Sequence, residues 1–214
     1  MGNLQDLSPR ALHALQTSDV IAAEDTRVTA KILSSFGFKT PLIRADEHTL
    51  PRILDKLLER IENGEVVAYV TDAGTPVISD PGAELVDRAL EGGIKVEVIP
   101  GPSAVTAALA ISGFFAQRFV FFGYLPRSPA GIRRELSPYS ESTFTLVFFE
   151  APTRVKKTLN AAFETLGERR VAICRELTKV HEEVIRGNLS DLARGLRELR
   201  GEITVVIEGK RRHF

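Results

Sequence analysis

The sequence predicts an α/β protein made of two α/β subdomains, and three observations on its 214 residues lead to that fold class. Short apolar runs, of the kind found in buried parallel strands, alternate with amphipathic helical patterns. Many of these runs end in glycine, proline and small polar residues, as connections from a strand to a helix do. The length suffices for one large domain or two small ones, each with a proper core.

The first subdomain is predicted over residues 1–113. Ser8 and Pro9 form the pattern of a helix N-cap followed by proline at the first helical position, and Gly37 and Gly64 each end a helical pattern. In chain order we expect a helix from residue 9, a strand at 20–23, a helix up to 36, a strand at 42–43, a helix over 50–63, a strand at 66–70, a helix up to about 90, a strand at 95–99 and a helix over 104–111.

The second subdomain is predicted over residues 114–214. Its last three strands lie close together in the sequence and alternate apolar with polar residues, which favours antiparallel or mixed pairing. We expect strands at 119–122, 144–149, 170–175, 182–186 and 203–207, and helices over 154–166 and 189–199.

Charge and cysteine content exclude several classes of protein. The 28 basic residues balance the 28 acidic ones, so no global field draws the chain to nucleic acid, although local basic patches can still form. The single cysteine, Cys174, lies in an apolar run, which excludes a disulfide framework and predicts a buried, inert thiol. No apolar run has the length of a bilayer span, no signal peptide is recognisable, and the histidines are scattered. We expect a cytoplasmic protein with no membrane partner and no metal site.

The segment TDAGTPVISDPG, residues 71–82, is the strongest candidate for a binding loop. It follows the apolar run at 66–70, and ligands of open α/β sheets bind where such strands end. Gly74 and Gly82 allow the backbone to approach a ligand closely, while Pro76 and Pro81 restrict the conformation of the loop. The alternative is an ordinary connection from strand to helix, which rarely needs so many glycine, proline and small polar residues.

Seven segments occur in an order that resembles one known family. They are GNLQDLS at 2–8, AAEDTR at 22–27, the loop at 71–82, IPGPSA at 99–104, FFGYLP at 121–126, FEAPTR at 149–154 and RELTKVHEE at 175–183. Together they cover almost the whole chain. The set resembles the ribosomal RNA small-subunit methyltransferase I family, within the tetrapyrrole methylase-like superfamily.

This resemblance implies the class III methyltransferase fold and S-adenosyl-L-methionine as the cofactor. It implies 2′-O-methylation of a cytidine ribose in the decoding region of small-subunit (16S) ribosomal RNA, with that RNA or the 30S subunit as partner, and a homodimer. The chain contains no GxGxxG fingerprint, which argues against an ordinary dinucleotide site. Two alternatives stay open: a methylase of a small tetrapyrrole, and a non-catalytic remnant that keeps the fold.

The resemblance also assigns residues to the cofactor. Backbone and small polar groups of two loops are expected to hold it, with weaker candidates on the adenine side at the ends of two later strands. The loop residues are Asp72, Ala73, Gly74, Thr75, Ile78, Ser79, Pro102, Ser103 and Ala104, and the weaker candidates are Phe149 and Leu177.

Residues for the transfer step are harder to assign. A ribose hydroxyl is a poor nucleophile near neutral pH and benefits from a positioned base or from a cation near the developing oxyanion. We expect Lys179 or Arg154 to give electrostatic help, and Glu150 or Asp25 to act in acid/base or orienting work. The alternatives are structural: Asp25 can cap a helix, and Glu150 with Arg154 can form an i,i+4 pair worth only about 0.3–0.5 kcal/mol.

Basic and aromatic residues are the candidates for RNA contact. Arg127, Arg133 and Arg134 lie in a segment rich in serine, proline and glycine and are expected to grip phosphates, as is Arg27 in the AAEDTR motif. Tyr124 is expected to stack on an unpaired base. The alternative for the three clustered arginines is a solvated basic loop.

The beginning of the sequence departs from the family pattern. Relatives usually begin with an apolar strand before the GNLQDLS motif, whereas here Met1 directly precedes Gly2. That strand would be central in the first sheet, so we expect the first strand to be missing and backbone groups on its neighbours to be unpaired, unless another element fills the gap.

Overall fold

The computed structural model describes residues 2–72 and 74–211. The chain divides into two compact units, Met1–Ser103 and Ala104–Phe214, each with its own sheet. The predicted boundary after residue 113 is therefore too late. The helix that begins at Ala104 belongs to the second unit, because it packs against the strands of the second sheet.

The first unit is a small parallel sheet with helices on both faces. Its elements are α1 (Pro9–Thr17), β1 (Val20–Ala23), α2 (Thr26–Ser35), β2 (Leu42–Arg44), α3 (Leu50–Glu62), β3 (Val67–Val70) and α4 (Ala83–Glu91). The strand order is β2-β1-β3, and both ladders are parallel. Leu54 and Leu57 of α3 pack on one face of the fully buried β1, and Leu15 of α1 and Leu33 of α2 pack on the other.

The prediction of a strand at 95–99 is wrong, although charged and apolar residues alternate there as they do in many strands. Residues 94–100 carry no helix or strand assignment, and the Val98 side chain is 72% exposed. Within the described residues β3 pairs with β1 alone, so one edge of β3 has no neighbouring strand. A segment without a partner ladder gains neither backbone hydrogen bonds nor burial.

The second unit is a mixed sheet with a larger core. Its elements are α5 (Ala104–Ser112), β4 (Phe119–Tyr124), α6 (Pro129–Leu136), β5 (Thr145–Glu150), α7 (Val155–Leu166), β6 (Arg170–Arg175), β7 (Glu183–Asn188), α8 (Leu189–Gly195) and β8 (Ile203–Ile207). The strand order is β4-β5-β8-β6-β7; β4 and β5 are parallel and the other ladders are antiparallel, as the sequence predicts.

Helices α6, α7 and α8 bury one face of this sheet. Each helix contributes a leucine to a single cluster with the inward side chains of β5, β6 and β8. These leucines are Leu136 of α6, Leu159 of α7 and Leu189 of α8. Cys174 in β6 is buried, which confirms the predicted burial, and this burial raises the pKa of its thiol to about 12. The predicted helix over 189–199 ends early, because Leu196 turns to an extended conformation (φ −61°, ψ 126°).

Helix α6 occupies the segment predicted as an arginine-bearing loop. The Ser128 hydroxyl accepts the Gly131 N–H (3.1 Å), and Pro129 sits at the first helical position, so a regular N-terminal capping signal is present. Glycine is required inside this helix, because a Cβ at Gly131 would lie 2.7 Å from the Cβ of Pro126. Gly131, together with the nearby serine and proline, is why the sequence predicted a loop here.

Across the described part of the chain, every helix is too short or too polar to cross a membrane. The same residues contain no cluster of three or more histidine, cysteine, aspartate or glutamate side chains arranged for a metal ion.

Candidate functional site

The carboxyl ends of β1 and β3 bring two sequence motifs together in the first unit. Ala23 lies opposite Val70 in the parallel ladder, so the residues that follow each strand are neighbours. The Thr71 hydroxyl lies 2.8 Å from Oε2 of Glu24 and 3.0 Å from Oδ2 of Asp80. The Asp72 N–H donates to Glu24 (3.2 Å), and the Asp25 N–H donates to Asp72 (3.3 Å). The result is a group of carboxylates at one edge of the sheet.

These carboxylates differ in their electrostatics. Burial, and then the nearby Glu24 charge, raises the pKa of Asp72, and burial likewise raises the pKa of Asp80 despite its hydrogen bond to Thr71. The pKa of Asp25 shifts the other way, well below its usual range, because Arg27 donates to it from its side chain and its backbone N–H. Asp25 is also the N-cap of α2, as the structural alternative proposed.

The backbone of the 71–82 loop is strained. Val77 (φ 76°) and Ser79 (φ 59°) adopt the left-handed region, which is costly for residues other than glycine, most of all for the β-branched Val77. Strain of this kind clusters at functional sites. Gly82 ends the loop at φ 120°, and a Cβ there would lie 2.5 Å from the Tyr69 ring. The Tyr69 hydroxyl donates to the Pro81 carbonyl (2.8 Å), which holds the end of the loop against β3.

The second proposed cofactor loop lies close to the first. A Cβ added at Gly74 would be 4.0 Å from the carbonyl oxygen of Pro102, so the segments around these two residues approach each other. Ile78 is exposed in the same loop. Ala73 lies outside the described residues. The structure thus brings together the two first-unit segments that the family resemblance assigns to the cofactor.

In the second unit, the ends of β4 and β5 form an aromatic cluster. Tyr124 pairs with Phe149 in the parallel ladder, and their ring centroids are 5.7 Å apart, in edge-to-face contact. Phe149 makes a similar contact with Phe121 at 5.0 Å. The Tyr124 side chain is mostly exposed. A residue assigned to the cofactor and a residue assigned to RNA are therefore direct neighbours.

Glu150 and Arg154 shape the turn beside this cluster. The buried Glu150 carboxylate accepts hydrogen bonds from the Ala151 N–H (2.8 Å) and the Thr158 hydroxyl (2.5 Å), and it pairs with Arg154 (3.2 Å). Arg154 in turn donates to two carbonyls of the turn, Leu125 and Pro126, both at 2.9 Å. These contacts fit an orienting role for Glu150.

The turn after β6 holds Lys179. Its ammonium pairs with Glu176 (3.0 Å) and Glu202 (3.1 Å), and Glu176 also accepts the Glu202 N–H (2.9 Å). Burial lowers the pKa of Lys179, but the two carboxylates outweigh it, so the pKa is raised and the cation persists. Glu176 (φ 50°) and Thr178 (φ 68°) have strained backbones, and Leu177 between them is buried.

The RNA candidates fall in two places. Arg27 is in the first unit, with its side chain exposed beside Asp25. Arg127, Arg133 and Arg134 are exposed in the second unit, the last two on α6, where Arg133 pairs with Glu164 of α7 (2.8 Å).

Two partners of site residues had weak or no sequence signals. Thr158, which hydrogen-bonds Glu150, lies four positions after Arg154, and this helical spacing is the only signal that could have identified it. Glu202 had no local signal, because the pairing of β6 with β8 brings it to Glu176 from a distant part of the sequence.

Known proteins match this chain over nearly its whole length. The profile of the tetrapyrrole (corrin/porphyrin) methylases matches residues 1–193. A ribosomal RNA small subunit methyltransferase I from Thermotoga maritima is 43% identical over 98% of this chain and 95% of its own length. The protein of the same name from Mycobacterium tuberculosis is 46% identical over 100% of this chain and 76% of its own length.

Solved structures show the same fold at low identity. Diphthine synthase superposes with a TM-score of 0.77 at 17% identity, over 100% of this chain and 88% of that one. Uroporphyrin-III-C-methyltransferase from Thermus thermophilus gives a TM-score of 0.65 at 23% identity, over 96% and 90% of the two chains. The chain therefore belongs to the tetrapyrrole (corrin/porphyrin) methylase family and, within it, to the ribosomal RNA small subunit methyltransferase I group.

Proposed function

We propose that this protein transfers a methyl group from S-adenosyl-L-methionine to the 2′-hydroxyl of a cytidine in the decoding region of small-subunit (16S) ribosomal RNA. The observation that carries the proposal is the 43–46% identity, over nearly the whole chain, to proteins named ribosomal RNA small subunit methyltransferase I. The arrangement of the described residues supports it in three respects, which concern the cofactor, the transfer step and the RNA.

The positive charge of the cofactor is complementary to the carboxylates at the end of β3. S-adenosylmethionine carries positive charge on its sulfonium and ammonium groups, and Asp72, Asp80 and Glu24 supply negative charge beside a backbone that can be approached closely at Gly74. We assign to the cofactor Asp72, Ala73, Gly74, Thr75, Ile78, Ser79, Pro102 and Ser103 in the first unit, and Ala104, Phe149 and Leu177 in the second.

S-adenosylmethionine supplies a methyl group made electrophilic by the attached sulfonium. The protein's part is to orient the acceptor hydroxyl and to stabilise the negative charge that develops on it. Lys179 is the better candidate for stabilising that charge, because its two carboxylate partners keep it cationic and fixed. Arg154 is the second candidate, and Glu150 holds Arg154 in place. Asp25 is a weak base near neutral pH, because Arg27 lowers its pKa.

The acceptor nucleotide is placed at Tyr124 in this proposal. An exposed aromatic ring in contact with Phe149 provides a stacking surface for an unpaired base next to a cofactor residue. Arg127, Arg133 and Arg134 lie on the following segment and contact phosphates, with Arg27 as a further phosphate contact. We also propose that the protein acts as a homodimer in the cytoplasm, on RNA of the 30S subunit.

A small tetrapyrrole is the second candidate acceptor, because the matching family profile is that of tetrapyrrole methylases. Both acceptors are compatible with the carboxylate-bearing loop, since that loop is assigned to the cofactor. The two acceptors differ in their use of Tyr124 and the arginines. We propose base stacking and phosphate contacts for these residues with RNA, and no role for them with a tetrapyrrole.

The test is transfer of radiolabelled methyl from S-adenosylmethionine to 30S subunits from a strain lacking the modification, with uroporphyrinogen III as the competing acceptor. We expect label in the RNA, at a ribose 2′-oxygen by nuclease mapping. Label in the tetrapyrrole with none in RNA would establish the second candidate. Cofactor binding by calorimetry with no transfer to either acceptor would identify a non-catalytic protein that keeps the fold.

A further inference from the structure

A groove between α6 and α7 of the second unit is lined by several basic side chains. It has a volume of about 650 Å³, and its polar lining consists of Arg133 from α6 together with Thr153, Lys156, Lys157, Asn160 and Glu164 from α7 and the residues just before it. We call this surface the basic groove. Lys156, Lys157 and Asn160 are exposed and project from consecutive turns of the same helix.

The basic groove carries an excess of positive charge in a chain of zero net charge. Three cations line it against one carboxylate, Glu164. Among residues 2–72 and 74–211, Lys156 and Lys157 form no ion pair. Arg133 does pair with Glu164 (2.8 Å), but both side chains are about half exposed (45% and 57%), and such surface pairs contribute only about 0–1 kcal/mol. An anionic partner would meet two unpaired ammonium groups and one weakly held guanidinium.

Hydrogen bonds within the second unit link the basic groove to the turn after Tyr124. Thr153, at its near end, precedes Arg154, which donates hydrogen bonds to the Leu125 and Pro126 carbonyls in the turn after Tyr124. The turn then leads directly into α6. Hydrogen bonds from Arg154 therefore join the turn after Tyr124 to the start of α7, the helix that carries Lys156 and Lys157.

We propose that the basic groove binds the phosphate backbone of the RNA strand that presents its acceptor nucleotide at Tyr124, an inference that rests on the proposed function. The groove supplies charge without base recognition, because lysine ammonium groups act as point charges toward phosphates. Specificity for the nucleotide is left to Tyr124 and the cofactor site. Lys156 and Lys157 thereby join Arg133 as RNA contacts, and their positions in a helical pattern had given no indication of this role.

The experiment measures the affinity of the full chain for small-subunit ribosomal RNA over a series of salt concentrations. The test variant is K156Q/K157Q, which removes both unpaired charges. The matched control is K31Q/K56Q, which removes two exposed lysines from α2 and α3 of the first unit. A third variant, K156R/K157R, keeps the charges. Calorimetric titration with S-adenosylmethionine checks that each variant is folded and binds the cofactor.

Counterion release sets the expected size of the effect. Each lost phosphate contact reduces the slope of log affinity against log salt by about 0.7–0.9, so K156Q/K157Q should lower the slope by roughly 1.5 and weaken binding on the order of tenfold near 0.1 M salt. The control and the arginine variant should behave as wild type.

The other outcomes distinguish failure of the basic groove from failure of the proposed function. Equal slopes for K156Q/K157Q and K31Q/K56Q, with RNA bound tightly by both, overturn the basic groove and leave the proposed function standing. This is also the result expected if an acidic protein, rather than RNA, occupies the groove. Failure of wild type to bind the RNA, with cofactor binding intact, overturns the RNA substrate itself and the groove with it.

Discussion

Asp72 lies just beyond the end of β3 and beside the Glu24 carboxylate, and from this position we expect cofactor binding to depend on pH. Burial and Glu24 raise the pKa of Asp72, and the pKa of Asp80 is raised as well. A cationic cofactor favours the ionised carboxylates, so binding should strengthen as pH rises through these raised pKa values and level off above them. D72N should weaken binding near pH 7 by about 10- to 100-fold, the loss of a charged contact of about 1.5–3 kcal/mol, and should flatten the pH profile.

Calorimetric titrations from pH 4.5 to 8 would measure this effect. The control is D55N, which removes an exposed aspartate of α3 and should leave the profile unchanged. Unfolding does not explain a loss of binding in D72N, because a raised carboxyl pKa means that the ionised group destabilises the fold at neutral pH. A D72N profile that coincides with that of wild type would remove Asp72 from the cofactor site.

A substitution of Thr158 tests the hydrogen bonds around the buried Glu150 carboxylate. Its hydroxyl is one of three groups that satisfy a fully buried carboxylate. T158V keeps the side-chain shape and removes the donor, so it should lower the free energy of unfolding by about 1–3 kcal/mol. Urea unfolding followed by circular dichroism gives this value.

Thr165 on the same helix is the matched control for Thr158. Its hydroxyl donates only to the Ala161 carbonyl one turn earlier, so T165V should change stability by less than about 0.5 kcal/mol. Equal effects of T158V and T165V would show that the contact with Glu150 contributes nothing beyond ordinary helix packing.

Among the elements, the first sheet and the segment over 94–100 differ most in expected stability. β1 is buried and paired on both sides, whereas residues 95–99 form neither helix nor strand and are mostly exposed. Amide exchange reports such differences, because unpaired exposed N–H groups exchange without an opening step. We expect amides of 95–99 to exchange orders of magnitude faster than those of β1, by hydrogen exchange with mass spectrometry.

The amides of β8 provide an internal standard for this measurement, since β8 is buried and paired with both β5 and β6. Protection of 95–99 close to that of β8 would contradict the assignment. It would mean that in solution this segment has a strand partner that the described residues do not provide.

Two turns at strand ends have strained backbones. The 71–82 loop and the turn after β6 each contain two non-glycine residues at positive φ, which are Val77 and Ser79 in the first and Glu176 and Thr178 in the second. Such conformations cost about 1–3 kcal/mol each and persist only where surrounding contacts hold them. Both turns carry residues assigned to the cofactor or to the transfer step.

For the molecule as a whole, the exposed apolar surface supports the proposed homodimer. Val98, Phe115 and Val180 are large apolar side chains that the described residues leave exposed. A second copy of the chain would cover part of such surface. Light scattering after size-exclusion chromatography should give twice the 23.5 kDa of the chain. A concentration-independent mass of 23.5 kDa would contradict the homodimer.

The sequence by itself determined the fold class, the order of nearly all elements, the mixed pairing of the second sheet and the buried thiol of Cys174. These features follow from local patterns, because apolar periodicity and turn residues depend on neighbours in sequence. The segments at 71–82 and 175–183 were recognisable for the same reason. The profile match over residues 1–193 agrees with the family that those motifs indicated.

Only the tertiary structure decided features that depend on partners distant in sequence. A local pattern predicted a strand at 95–99, but a strand needs a neighbouring strand to pair with, and the described residues provide none beside β3. The domain boundary moved to Ala104 because α5 packs on the second sheet. Likewise, Lys179 meets Glu202, and Arg133 of α6 meets the lysine-bearing α7, through packing that no local pattern encodes.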